Sequence, residues 1–126
     1  MQTKQNILVV EDEEMTARLI VYRLRGLGHT VTHVTDGVKG LQAIKEIKPD
    51  LVVLDVMLPG ISGFEILQEL LDDADFDQSA TKVMMLTSKG RSEDMSRGFN
   101  LGAMEYVSKP FKMDEFILRL NRVLQQ

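Results

Sequence analysis

Apolar and polar positions along the chain follow two alternating patterns. Runs such as ILVV at 7–10, LVVL at 51–54 and VMML at 83–86 are apolar at every position, which suits strands buried on both faces of a sheet. Between them, apolar residues recur at three- and four-residue spacing, the mark of helices with one buried face. The pattern predicts strands over 6–10, 30–34, 51–54, 82–86 and 104–107. Helices are expected over about 14–25, from a cap at Asp36 to Pro49, then over about 63–71, 92–100 and 113–124. Their expected inward faces are Ala17, Ile20, Val21, Leu24 and Leu27 in the first helix and Val38, Leu41, Ile44 and Ile47 in the second. The last helix should bury Phe116, Ile117, Leu120, Val123 and Leu124. The second strand, TVTHV, alternates apolar with polar and so belongs at an edge, while DDADFDQSA at 72–80 reads as an exposed acidic loop.

Five strand–helix units imply an α/β fold, a single doubly wound five-stranded parallel sheet with helices on both faces, occupying residues 1–126 as one domain. Right-handed crossovers then bring every strand-to-helix loop to one edge, the edge at which open parallel sheets bind ligands. Asp55, at the end of the most apolar strand, could by itself merely cap a turn. The other strands end comparably, however: the first in Glu11 and Asp12, the fourth in Thr87 and Ser88, and the fifth in Lys109. Their convergence favours one site holding three carboxylates, hydroxyls and an ammonium.

Composition narrows the chemistry. Cysteine is absent from the 126 residues, which excludes disulfides, thiol nucleophiles and cysteine-bound zinc. The formal net charge of −4 disfavours nonspecific binding of nucleic acid by this chain. The first 14 residues contain neither a signal peptide nor a membrane span, so a cytoplasmic location is expected. Three carboxylates in one pocket either share a proton or gather a cation, and oxygen donors of this kind suit Mg²⁺ or Mn²⁺. A cation there attracts phosphate, which Lys109 could neutralise and Thr87 could hydrogen-bond. Asp55 would keep one oxygen free as a nucleophile, with an acyl phosphate as the product.

Four motifs then stand in order: ILVVEDE, LVVLDVMLPGISG, MMLTS and GAMEYVSKPF. Through them essentially the whole chain resembles a receiver domain of the two-component response-regulator family, of the chemotaxis-regulator type. The resemblance implies the flavodoxin-like strand order 2-1-3-4-5, an order for which a chemotaxis regulator is a standard illustration. It implies that Asp55 is the phosphoacceptor, that Asp12 ligates Mg²⁺ directly and Glu11 through water, and that the Met57 backbone carbonyl is a further ligand. Thr87 and Tyr106 resemble the family's switch pair, and Lys109 its phosphoryl-binding lysine, with a cis bond to Pro110. Glu11 stands where many receivers have Asp, and Ser88 where Ala is common. The implied function is a phosphoacceptor switch rather than a conventional enzyme, promoting its own phosphorylation by a histidine kinase or histidine phosphotransfer protein and its own slow dephosphorylation. Output would pass through the fourth helix, fifth strand and last helix, a face that in related DNA-binding regulators also forms a homodimer. Arg97, Glu105 and Arg119 resemble part of that dimer pattern, and Met104 replaces an expected acid.

Two other functions are weaker. A haloacid-dehalogenase-type phosphohydrolase needs an acidic residue where Met57 stands, and a flavin carrier on this topology would find its phosphate repelled by Glu11 and Asp12. Met57 and Lys89 are the positions expected to tune phosphoryl lifetime: neither side chain can orient an attacking water, so dephosphorylation is expected to be slow. His29 and His33 are expected to be surface or edge residues away from the acidic edge, and the eight methionines core filler.

Overall fold

The computed structural model describes residues 4–88 and 92–126. The strands are β1 (Asn6–Val10), β2 (Thr30–Val34), β3 (Leu51–Asp55), β4 (Lys82–Thr87) and β5 (Glu105–Ser108). They alternate with α1 (Glu14–Gly26), α2 (Gly37–Ile47), α3 (Gly63–Asp72), α4 (Ser92–Asn100) and α5 (Met113–Leu124). All neighbouring strands pair in parallel, in the order β2-β1-β3-β4-β5, the order the family resemblance implies. β3 and β4 run one residue further than the apolar pattern, onto Asp55 and Thr87 themselves, and β5 is shifted by one.

The period of two along each strand divides the core. Ile7, Val9, Leu51, Val53, Met84, Leu86 and Val107 face α1 and α5, packing with Ile20, Leu24, Phe116 and Leu120. Leu8, Val10, Val52, Leu54, Val83, Met85 and Tyr106 face the opposite layer, with Ile44, Phe64, Ile66 and Leu70. Side-chain caps set two helix starts: Asp36 accepts from the Lys39 N–H at 2.8 Å and Ser62 from the Glu65 N–H at 3.1 Å.

The second helix departs from its expected face. It buries Gly37, Gly40 and Ile44, leaving Val38 57% exposed and Ile47 36% exposed. A Cβ at position 40 would lie 2.7 Å from Val10 Cγ1 and one at position 37 would run into the Ile61 carbonyl, so Gly40 lets the helix backbone approach the sheet, Gly37 lets its start approach the loop before α3, and Val38 is left facing outward. Leu27 is likewise 38% exposed, beyond the end of α1. Met84 and Met85 fill the core as expected, but Met15 and Met57 are exposed. Gly63 matters for the site: a Cβ there would meet the Asp55 carbonyl oxygen at 2.4 Å, so only glycine lets α3 begin against the end of β3.

Candidate functional site

The sheet's carboxyl edge holds the acidic residues in a rigid frame. After β1, the Glu11 N–H donates to the Val34 carbonyl of β2 at 3.1 Å. After β3, the Val56 N–H donates to the Leu86 carbonyl and the Gly63 N–H to the Val56 carbonyl, each at 2.9 Å. Glu11 and Asp55 are consequently buried, at 0% and 3% exposure, whereas Asp12 opens to solvent. One oxygen from each of the three carboxylates lies within 4.8 Å of the others.

Lys109 reaches into this group from the loop after β5, its own N–H donating to the Thr87 carbonyl at 2.6 Å and its bond to Pro110 cis. Its ammonium donates to Asp55 Oδ2 at 2.8 Å and to Glu11 Oε1 at 2.5 Å. The remaining oxygens are held by backbone: Asp55 Oδ1 accepts from the Met57 N–H and Glu11 Oε2 from the Glu13 N–H, both at 3.1 Å. Burial and a hydrogen bond shared with Asp55 push the Glu11 carboxyl up to about 7, against the opposing pull of Lys109. Burial acts to lower the Lys109 ammonium, but its hydrogen bonds to Asp55 and Glu11 outweigh this and leave it raised. Negative charge therefore exceeds what one lysine neutralises.

Thr87 is buried at the end of β4, level with Ser108 of β5, and Ser88 is exposed. Tyr106 is turned inward, 2% exposed, with its ring against Gly98 and 6.4 Å from that of Phe99. Burial raises its phenol above the ordinary value, with Thr87 opposing the shift and Asp94 and Asp55 adding to it. The hydroxyl lies near Thr87 but makes no hydrogen bond of regular geometry among the described residues. The Met57 side chain is 56% exposed; Lys89 lies outside the described residues.

The histidines differ from expectation. His29 is buried, its Nδ1 accepting from the Gln5 N–H at 3.1 Å, and its Nε2 has no partner among the described residues. Burial lowers its pKa. His33, expected away from the acidic edge, places Nε2 2.8 Å from the Glu11 carbonyl oxygen. The parallel register that pairs Val9 with His33 is the signal that sequence reasoning overlooked, since it sets this ring just below the turn at Glu11.

The family model for the response regulator receiver domain matches residues 7–121 of the chain. The chain belongs to the response-regulator receiver family. Among curated relatives, the receiver is 42% identical over 123 residues to the uncharacterized transcriptional regulatory protein YkoG of Bacillus subtilis, covering 98% of this chain and 52% of the relative. It is 37% identical over 123 residues, with the same coverage, to the DNA-binding response regulator MtrA of Mycobacterium tuberculosis. The chain thus spans about half the length of the curated relatives it matches. Among solved structures, the BeF3-activated DrrB receiver domain aligns with a TM-score of 0.84 at 31% identity, over 98% of this chain and all of that one. The receiver domain of a Pseudomonas aeruginosa sensor histidine kinase, solved with a magnesium ion coordinated in its active site cleft, gives 0.85 at 27% identity, with 98% of this chain and 100% of that chain covered. Among the described residues of the receiver, no helix is long and apolar enough to cross a membrane.

Proposed function

We propose that this receiver accepts a phosphoryl group on Asp55 from the phosphohistidine of a sensor kinase or histidine phosphotransfer protein. The observation that carries this is the buried Asp55 carboxylate, held by the Met57 N–H on one oxygen and by Lys109 on the other, within a group that is short of positive charge. Those hard oxygen donors, one of them on exposed Asp12, fit Mg²⁺ or Mn²⁺. Asp12 and Asp55 would hold it directly, Glu11 through water and Met57 by its backbone carbonyl. A cation bound there would supply charge neutralisation for the phosphoryl oxygens.

In the transfer, an Asp55 oxygen attacks phosphorus, the phosphorus–nitrogen bond breaks and the donor imidazole leaves, taking up a proton. Lys109 exchanges a carboxylate partner for a phosphoryl oxygen, and Thr87 donates its hydroxyl to another. Thr87 and Tyr106 then carry the change to the face of α4, β5 and α5, where Arg119 pairs with Glu105 at 3.3 Å and with Glu115 at 3.0 Å. This face is our candidate for a phosphorylation-driven homodimer. A monomer by sedimentation both with and without beryllofluoride would instead assign the face to a separate partner.

The test of the phosphoacceptor is incubation with acetyl phosphate and Mg²⁺ followed by intact-mass measurement. One added phosphate is expected, and none on Asp55→Asn. Equal labelling of that variant would refute the assignment.

A further inference from the structure

The imidazole of His33 is the one side chain of the edge strand β2 that reaches the acidic turn among the described contacts. A carbonyl oxygen only accepts, so the 2.8 Å contact requires the hydrogen on Nε2. The Glu11 N–H is already bonded to the Val34 carbonyl. Residue 11 is therefore gripped on both sides by β2, once through backbone and once through His33. The second grip is on the peptide that joins Glu11 to Asp12. Rotation of that peptide plane would move the exposed Asp12 carboxylate relative to buried Glu11 and Asp55, whose own backbones are fixed by the sheet. Asp12 faces solvent, so the turn's backbone sets the point from which its carboxylate reaches toward the other two.

We infer that His33 is a positioning residue for the divalent-cation site, its Nε2–H fixing the Glu11–Asp12 peptide so that both carboxylates point at one place. This rests on the proposed reading of the acidic group as a cation site. Loss of the donor releases one hydrogen bond and leaves a carbonyl free to turn, so it should weaken cation affinity without removing any ligand.

The experiment compares the parent with His33→Leu, which removes the donor, and His33→Gln, which restores an N–H of similar reach. Mg²⁺ dissociation constants are measured by calorimetric titration, alongside melting temperature and the Mg²⁺ dependence of labelling by acetyl phosphate. His33→Leu is expected to weaken Mg²⁺ binding by about five- to tenfold. The half-saturating Mg²⁺ for labelling should rise with it, while the rate at saturating Mg²⁺ stays within about twofold. His33→Gln should recover most of the affinity. An unchanged dissociation constant in His33→Leu, or a His33→Gln as weak as His33→Leu, overturns the inference. If His33→Leu does not fold, His33→Phe serves in its place with the same two outcomes. A parent that neither binds Mg²⁺ nor is labelled would refute the cation-site reading itself, which separates that failure from the failure of His33.

Discussion

Replacing Gly98 with alanine probes the balance that holds Tyr106 inward. A Cβ at position 98 would lie 3.2 Å from Tyr106 Cδ2 and Cε2 and 3.2 Å from Met85 Sδ, closer than ordinary contact. The helix itself gains, because alanine in place of a helical glycine is worth about 1 kcal/mol. Crowding of a packed ring costs about 1–3 kcal/mol if the ring stays. Swinging the ring out gives up roughly 1.5–3 kcal/mol of burial. Burial therefore keeps the ring inward in the parent, and the crowding removes most of that preference: Gly98→Ala should shift Tyr106 outward by roughly five- to 150-fold, the equivalent of about 1–3 kcal/mol. Tyr22, 78% exposed, and Tyr106 are the two tyrosines, and tryptophan is absent. In a Tyr22→Phe background, tyrosine emission therefore reports Tyr106 alone. Acrylamide should quench it weakly in the parent and strongly in Gly98→Ala. Emission equally protected in both, with a melting temperature raised by the roughly 3–5 °C that the helix gain alone would give, would refute the reasoning.

Three further outcomes follow from the site and the core. Glu11 titrates near 7 when folded, above its ordinary carboxylate value, so the native state binds more protons than the unfolded chain between about 4.5 and 7. Its contribution to metal-free stability therefore rises as pH falls through that window, while Mg²⁺, which needs the carboxylate, should bind up to about tenfold less tightly per pH unit below 7; a flat calorimetric profile from about pH 8 to about pH 6 would contradict this. His29 is lowered by burial, so the unfolded chain protonates first as pH drops below about 6.5 and stability is lost from there downward; melting curves of His29→Gln should show a smaller acid loss than the parent, and equal losses would place the sensitivity elsewhere. Met57→Asn combined with Lys89→Glu should speed release of phosphate from the phosphorylated protein by providing groups that orient water; an unchanged rate would mean that lifetime is set by other residues.

Strand content and the parallel, doubly wound sheet were legible in the sequence because the central strands are apolar on both faces, whereas the strand order came from the family resemblance of the four motifs. The meeting of Glu11, Asp12, Asp55 and Lys109 was legible for a related reason: in a parallel sheet, the polar residue ending each strand must come to the same edge. The orientation of α2 was not, since Gly37 and Gly40 contribute no apolar signal yet allow the close approaches to Ile61 and to Val10 of the sheet that leave Val38 outside. The histidines were misjudged because hydropathy treats imidazole as polar, whereas His29 is buried and accepts from the Gln5 N–H just before the first strand, and His33 spans from the edge strand to the Glu11 carbonyl. The inward position of Tyr106 depends on space left by Gly98 in a different element, which no local pattern encodes.

The central claim, that Asp55 is the phosphoacceptor, is tested most directly by trapping the acyl phosphate where it forms. Borohydride reduces an aspartyl phosphate to homoserine while leaving free carboxylates intact, so peptide mapping by mass spectrometry reads the modified position. After incubation with acetyl phosphate and Mg²⁺, homoserine is predicted at position 55 and nowhere else, and it should vanish when Mg²⁺ is chelated. Homoserine at position 12, or phosphate retained on Ser88 with Asp55 unreduced, would contradict the account.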